Sequence, residues 1–345
     1  MSEYHARLGD VADLLGGRYL PREEYVASEG LYAVYGSNSV MGVYDKYLYD
    51  GPLIILARIG SNCGSVMWSA KPAWVNNNAS AIRVRPGTDA RYIYYWLRVH
   101  DMAPHRLGSG QPFISHESLA NTPIVVPSLG EQRAIAEVLG ALDDKIEANS
   151  QQANLISEFA AANWSSYARE TPSVPLGDIV EVGISGVWGQ DCETGLAAVQ
   201  VLCFRGKDLE DVVARRGSAP PHRWLSSKQL SSRLGSGPEI WTAGSGSLGP
   251  TLLVSERLRG GYDKPILYSN FVKRLVPRAG MDRHLPSAWF ALVAAWRRGD
   301  FASFTTGTAM PNLDARAMLA MVSVPLFEGE TLAFVTELAD IAIDP

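Results

Sequence analysis

The stretch PSLGEQRAIAEVLGALDDKIEANSQQANLI, Pro127–Ile156, breaks the texture of this chain. Residues before it are rich in Gly, Tyr and Asn. Here Ile135, Leu139, Leu142, Ile146, Asn149, Ala153, Ile156 and Ala160 recur at alternating steps of four and three, the spacing of a coiled-coil seam. Pro127 and Gly130 mark the start of a helix, Glu131 sits where the N-terminal dipole favours an acid, and of Pro and Gly only Gly140 interrupts before Pro172. From Glu131 to Ala168 such a helix would extend about 57 Å at 1.5 Å per residue. A seam of this kind needs a mate, and Asn149 within it points to a polar pair that sets register. Packing of the helix on its own domain is the competing reading.

Working outward, the same order of segments is met twice. ARLGDVADLLGG at Ala6 is answered by VPLGDIVEVGISG at Val174, and GPLIILARIGSNCG at Gly51 by GPEIWTAGSGSLG at Gly237. NASAIRVRPG at Asn78 is answered by NFVKRLVPRAG at Asn270, and GSGQPFISHESLANTPIVVP ending at Pro127 by TGTAMPNLDARAMLAMVSVP ending at Pro325. Four matches in one order imply a duplicated unit of short strands followed by a helix. The expected fold is mixed α and β, with two duplicated globules separated by a long coiled-coil helix and a shortened second helix. The expected divisions are 1–129, 130–172, 173–326 and 327–345. ARYIYYWLRVHDM and LPSAWFALVAAWRR read as one matching helix per globule, with Tyr94, Trp96, Trp289 and Trp296 as core. The second long helix should begin near Glu328, but only 20 residues follow Pro325 where a match to the first would need about 40 by repeat symmetry.

Length and composition agree with a two-domain folded chain, since 345 residues with 46% apolar content can bury two cores. No apolar run approaches a membrane span, and MSEYHARLGD lacks the pattern of a secretory signal. A cytoplasmic location is expected. Cys63, Cys192 and Cys203 fit no metal-binding spacing and read as isolated thiols; no metal site is expected.

The LGDV and LGDI openings, SGQPFIS with the later MPNL, and a VP dipeptide before EQRAIAEVLGALDDKIEAN resemble the specificity subunits of type I restriction-modification systems. The tract Gly186–Gly189 and the Asn270-Phe271 pair fit a second target-recognition domain of that family. The resemblance implies that each globule reads one half of a split double-stranded DNA target. It also implies that the helices pair antiparallel to fix the gap, that methyltransferase subunits dock along them, and that a restriction subunit joins through those. S-adenosylmethionine, Mg and ATP would sit only on partner subunits, with no cofactor in this chain. Where the second helix stops short, the first could take its mate from another protomer, giving a homodimer. A non-catalytic scaffold, or the DNA-reading subunit of a methylation-only or type IIB-like system, is the alternative.

Charge bears on this reading because the net charge is -5 and the pI about 5.7, poor for binding DNA. The distribution resolves it: net charge is 0 over 1–129, -4 over 130–174, +4 over 175–325 and -5 beyond. The acidity therefore lies in the helices, and the second globule is the basic one. A weakly charged reader leaves part of the phosphate grip to partner subunits.

Direct readout draws on Arg, Lys, Asn, Gln, Ser and Thr presented on loops. In the first globule the candidates are Tyr35, Ser37, Asn38, Arg58, Ser61, Asn62, Asn76, Asn77, Ser109 and Gln111. In the second they are Trp188, Gln190, Arg205, Lys207, Thr242, Ser245, Ser247, Thr306 and Thr308. Gly108, Gly110 and Gly307 serve turn geometry. No catalytic residue is expected, because the chain lacks the tetrapeptide that holds a target amine, a glycine-rich loop for S-adenosylmethionine, a phosphate loop and a nuclease acid pair. Asp143, Asp144 and Lys145 are consecutive helix residues about 100° apart and cannot converge on one metal; they read as a solvated or partner-facing patch.

Overall fold

Leu53–Ala57 is an unbroken apolar run, and all five of its residues are buried. A strand can be buried throughout only if both sheet faces are covered. The computed structural model, which describes residues 4–26, 30–37, 39–60, 62–108, 110–214, 219–246, 248–307 and 311–343, shows what covers them. The chain divides into two compact units, 1–146 and 147–345.

In the first unit Leu53–Ala57 lies inside a four-stranded antiparallel sheet, ordered Ala12–Gly16, Ala79–Val84, Leu53–Ala57, Val66–Ser69. Alternate side chains take opposite faces. Ile54, Leu56 and Ile82 pack with Ile93 and Leu97 of the helix Ala90–Val99, while Leu53, Ile55 and Ala81 pack with Ala73 and Val75. Val75 belongs to a three-stranded sheet in which Tyr32–Tyr35 pairs antiparallel with Val40–Tyr44 and parallel with Trp74–Val75. Two short pairs complete the unit, Arg106–Leu107 with Phe113–Ile114 and Tyr4–Arg7 with Pro123–Val126.

The second unit has the same parts in the same chain order. Its antiparallel sheet runs Val180–Val182, Val272–Pro277, Glu239–Ala243, Thr251–Val254. Its three-stranded sheet pairs Val199–Phe204 antiparallel with His222–Leu225 and parallel with Ile266–Tyr268. Thr305–Thr306 pairs with Asn312–Leu313, and Ser173–Pro175 with Ser323–Pro325. The helix Leu285–Arg298 buries Trp289, Phe290 and Leu292 against its sheet. In place of apolar Leu53, the strand Glu239–Ala243 opens with a buried carboxylate, which ion-pairs with Arg259 at 2.8 Å and Arg274 at 2.6 Å.

Hydrogen bonds give the register of the repeat. Leu8 N–H donates to Thr122 O at 2.9 Å as Leu176 N–H donates to Val322 O at 2.8 Å, in agreement with the LGDV/LGDI alignment. Arg58 N–H donates to Asn78 O as Gly244 N–H donates to Phe271 O, so Asn78 corresponds to Phe271 rather than Asn270. Pro123 faces Arg7 as Ser323 faces Pro175, which moves the Pro127/Pro325 match by two residues.

The long helix is Leu129–Ala168, forty residues. Ser128 and Glu131 open it reciprocally: Glu131 Oε2 accepts from Ser128 N–H at 3.1 Å and Ser128 Oγ accepts from Glu131 N–H at 3.4 Å. Within the first unit it packs through Gln132, Ala136, Leu139 and Asp143, spaced four, three and four apart. Gln132 is buried, its Nε2 donating to Pro127 O and its Oε1 accepting from Asp89 N–H, both at 2.8 Å. Asp143 accepts from the Tyr95 hydroxyl at 2.9 Å and meets Arg98 at 3.3 Å, so it ties the helix to its own unit instead of forming a solvated patch with Asp144 and Lys145. Ile135, Leu142 and Ile146 fall on the other side and are 40%, 55% and 63% exposed, and Asn149 is exposed as well. Those expected seam positions carry no mate among the described residues.

In the second unit the later turns of the helix do have one. Ala160 and Trp164 are buried with Val335, Leu338, Ala339 and Ala342 of the helix Gly329–Ile343. Ser157 Oγ donates to Ala342 O at 3.3 Å, and the rings of Tyr167 and Phe334 lie 5.7 Å apart. Rising number on one helix meets falling number on the other, so the two run antiparallel.

Candidate nucleic-acid interface

In each unit the strand ends bring three loops together. In the first, Gly60 N–H donates to Pro112 O at 2.9 Å and Ile114 N–H to Arg58 O at 2.9 Å, joining the segment after Leu53–Ala57 to the Arg106–Ile114 hairpin. Arg58 N–H donates to Asn78 O, and Asn76 N–H to Tyr35 O, both at 2.9 Å, which adds the turn Asn76–Asn78 and the end of the strand Tyr32–Tyr35. The second unit repeats each bond: Gly246 N–H to Pro311 O at 3.1 Å, Leu313 N–H to Gly244 O at 3.0 Å, and Ser269 N–H to Phe204 O at 2.9 Å. Gly60 and Gly246 occupy matching positions with φ of 99° and 78°, and Gly108 and Gly307 with 88° and 85°. Side chains rarely adopt such backbone, so the loop shapes as well as the strands recur.

This end collects most of the sequence candidates. Arg58, Asn62, Asn77 and Gln111 lie on the three loops of the first unit, with Asn77 and Gln111 exposed and Asn62 half-buried. Ser37 is half-buried, two residues beyond Tyr35. Asn38, Ser61, Ser109, Ser247 and Thr308 lie outside the described residues. In the second unit Ser245 is half-buried and Thr306 exposed, Thr306 Oγ1 donating to Asn312 O at 3.3 Å. Arg205 and Lys207 join them, because a Cβ on the intervening Gly206 would lie 3.3 Å from Ala243 Cβ and 3.7 Å from Ser245 O. Lys207 is exposed. Arg205 is tied to the buried Asp208 at 2.9 Å and 3.1 Å, a hydrogen bond that raises its already high pKa.

Three candidates are taken by the fold itself. Thr242 is fully buried in a strand, its Oγ1 accepting from Thr251 Oγ1 at 2.9 Å, and offers no surface to DNA. Asn76 is buried and its Oδ1 accepts from Asn77 N–H at 2.7 Å, shaping the turn. The Tyr35 hydroxyl donates to Trp68 O at 3.3 Å.

Trp188 and Gln190 lie on a segment fastened along the three-stranded sheet, with Val187 N–H donating to Tyr268 O at 3.1 Å and Gln190 N–H to Trp224 O at 2.9 Å. Gln190 is exposed. Trp188 is held by Arg223, whose guanidinium stacks over the indole at 4.4 Å while its Nε donates to Trp188 O at 3.0 Å. Arg223 also pairs with Asp191. Sequence reasoning missed Arg223, because its partners lie more than thirty residues upstream. It also left Phe271 off the candidate list, although this side chain is exposed at the turn matching Asn78.

Cys203 is buried and its thiol is pushed up to about 12 by desolvation, and burial raises Cys63 likewise, so both stay protonated at neutral pH. His116 Nε2 lies 2.7 Å from Ser80 Oγ, but Ser80 is fully buried and cannot meet a substrate. Among the described residues no group of three or more His, Cys, Asp or Glu could hold a metal ion, and no helix is long and apolar enough to cross a membrane. What the loops offer is amide, hydroxyl, guanidinium and ammonium groups, the set that reaches base edges and phosphates.

Residues 3–158 match the family model for the type I restriction modification DNA specificity domain. The specificity subunit of the type I restriction enzyme EcoprrI from Escherichia coli is 22% identical over 139 residues, which span 39% of this chain and 35% of that protein. The crystal structure of the type I restriction-modification S subunit from M. genitalium superposes with a TM-score of 0.53 at 16% identity, covering 99% of this chain and 88% of that one, and so shares the fold. The HsdS subunit from Thermoanaerobacter tengcongensis covers 98% and 88% at 14% identity, with a TM-score of 0.33 too low to bear on the arrangement. Over residues 3–158, therefore, the chain is similar to the type I restriction modification DNA specificity domain, and it resembles a specificity subunit of those systems over about a third of that protein's length.

Proposed function

We propose that this chain is the DNA-specificity subunit of a type I restriction-modification complex in the cytoplasm, each unit reading one half of a bipartite double-stranded target. The observation that carries the reading is the recurrence of the three-loop end, bond for bond, in both units. A duplicated scaffold with unlike loop side chains suits two readers of one type with two different half-sites. Arg58, Asn62, Asn77 and Gln111 would face one half-site; Ser245, Thr306, Lys207 and Gln190 would face the other. The long helix fixes the gap between them. Its uncovered apolar side, Ile135, Leu142 and Ile146, is where a methyltransferase subunit docks or a second copy of the chain pairs.

In this reading the chain itself does no chemistry. Methyl transfer and cleavage, with their S-adenosylmethionine, Mg and ATP, belong to methyltransferase and restriction subunits. The test is to express the chain with its cognate methyltransferase and sequence the methylated sites. A motif split into two fixed halves by an unspecified gap is expected; methylation at a continuous motif, or none that depends on this chain, would contradict the proposal.

A further inference from the structure

The helix Ala90–Val99 ends in a turn that brings two histidines together before the Arg106–Ile114 hairpin. His100 Nε2 and His105 Nε2 are 3.3 Å apart, with ring centroids 5.5 Å apart and planes at 39°. Two nitrogens at about 2.0–2.1 Å from one tetrahedral metal stand about 3.3–3.4 Å from each other, so the separation is that of a tetrahedral edge.

Both rings are held in place by other groups. His105 Nδ1 lies 3.0 Å from Ser118 Oγ on the helix His116–Ala120; a proton on Nδ1 bonded there leaves the Nε2 lone pair free, the usual support for a ligating histidine. His100 stacks on Trp96 at 4.4 Å and 22°. Thr122 Oγ1 stands 3.4 Å from His105 Nε2, within reach of a water on the same ion. The neighbouring acid, Asp101, is turned away to accept from Ala103 N–H at 2.9 Å.

The second unit shows what this turn looks like without such a pair. Arg106 faces Ile114 as Thr305 faces Leu313, so His105 corresponds to Phe304. There Phe301 and Phe304 are buried, with rings 5.7 Å apart in an edge contact. One unit closes the base of its hairpin with two aromatic hydrocarbons, the other with two facing imidazole nitrogens.

We propose that His100 and His105 form a two-histidine site for a zinc-class divalent ion, with water in the open positions. The ion would tie the end of the helix Ala90–Val99 to the turn before Arg106–Leu107, and through Ser118 to the helix His116–Ala120. It would thereby brace the hairpin that carries Gln111. The role is positional, and the proposal departs from the sequence expectation of no metal site in this chain.

Zinc chloride is titrated by calorimetry into the full chain, stripped with EDTA and carrying no histidine tag. One zinc per chain is expected. His100→Ala should lose it, and Ser118→Ala should weaken it by about tenfold or more. His105→Phe copies the residue of the second unit and should keep the fold by circular dichroism while losing both the zinc and the rise in Tm that zinc gives the parent. His5→Ala and His222→Ala should bind like the parent. Equal zinc binding by His105→Phe, or no uptake by the parent, would show that the pair is only a hydrogen bond between two rings and overturn the proposal.

Discussion

Lys207 and Arg205 stand two residues apart and are predicted to differ in effect. Lys207 is exposed beside the Ser245 loop, and the described residues give it no ion pair. If it meets a phosphate, Lys207→Ala should weaken DNA binding across all sequences and reduce the salt slope by about 0.9, read from binding isotherms of the methyltransferase complex at several salt concentrations. Arg205 is already paired with Asp208 at the start of the helix Gly206–Val213, so Arg205→Ala should cost stability and change the salt slope less. An equal slope change for both would mean that Asp208 releases Arg205 on DNA. Single residues also set a pH dependence. His116 and His100 are both held below the ordinary histidine range, chiefly by burial, with Arg58 acting on His116 and His105 on His100. Unfolding returns each ring to a pKa of about 6.5, so between the two values the unfolded chain binds more protons. Stability from these rings is complete above about 6.5 and is lost as pH falls toward the lowered folded values. Tm should therefore drop on acidification from about pH 8 to pH 5.5, and less steeply in His116→Gln; a slope unchanged by that substitution would remove His116 from the account.

Trp164 and Leu142 lie on one helix and are predicted to respond in opposite ways. Trp164 is buried in the second unit and stacks with Phe290 at 5.8 Å, so Trp164→Ala should destabilise that unit by about 3–5 kcal/mol, measured by urea unfolding. Leu142 and Ile146 are exposed. Replacing both by Asp should change stability by no more than about 0.5 kcal/mol per site while disrupting assembly with methyltransferase, read by light scattering. Unchanged assembly would count against this face as a docking surface. The helix was legible in the sequence because a four-three apolar spacing over thirty residues has few other physical solutions. Which side would be buried was not. Gln132, Ala136, Leu139 and Asp143 form the packed face in the first unit, and the two polar ones among them rely on groups distant in sequence, Asp89 N–H for Gln132 and the Tyr95 hydroxyl for Asp143. Hydrophobic periodicity cannot register a buried glutamine whose amide is answered by another segment.

The duplication was readable in outline from the LGDV/LGDI and GPLIILARIG/GPEIWTAGSG pairs, whose alignment the hydrogen bonds keep. Later pairs slip by one or two residues because loop lengths differ between the units, and one sequence offers nothing to place a gap within a turn. The candidate interface was legible as loops and poorly as residues. Thr242 has the composition of a reader and lies in the core, whereas Phe271 and Arg223 are set by strand endings and by a stacking partner far away in sequence. If the two loop ends read independently, they should be separable. The most direct measurement is methylome sequencing of cells in which residues 1–126 are replaced by the matching unit of a relative, with the cognate methyltransferase present. New bases are expected in one half-site, with the other half-site and the gap unchanged. A swap that alters both half-sites, or that changes the gap while leaving the helix Leu129–Ala168 intact, would contradict it.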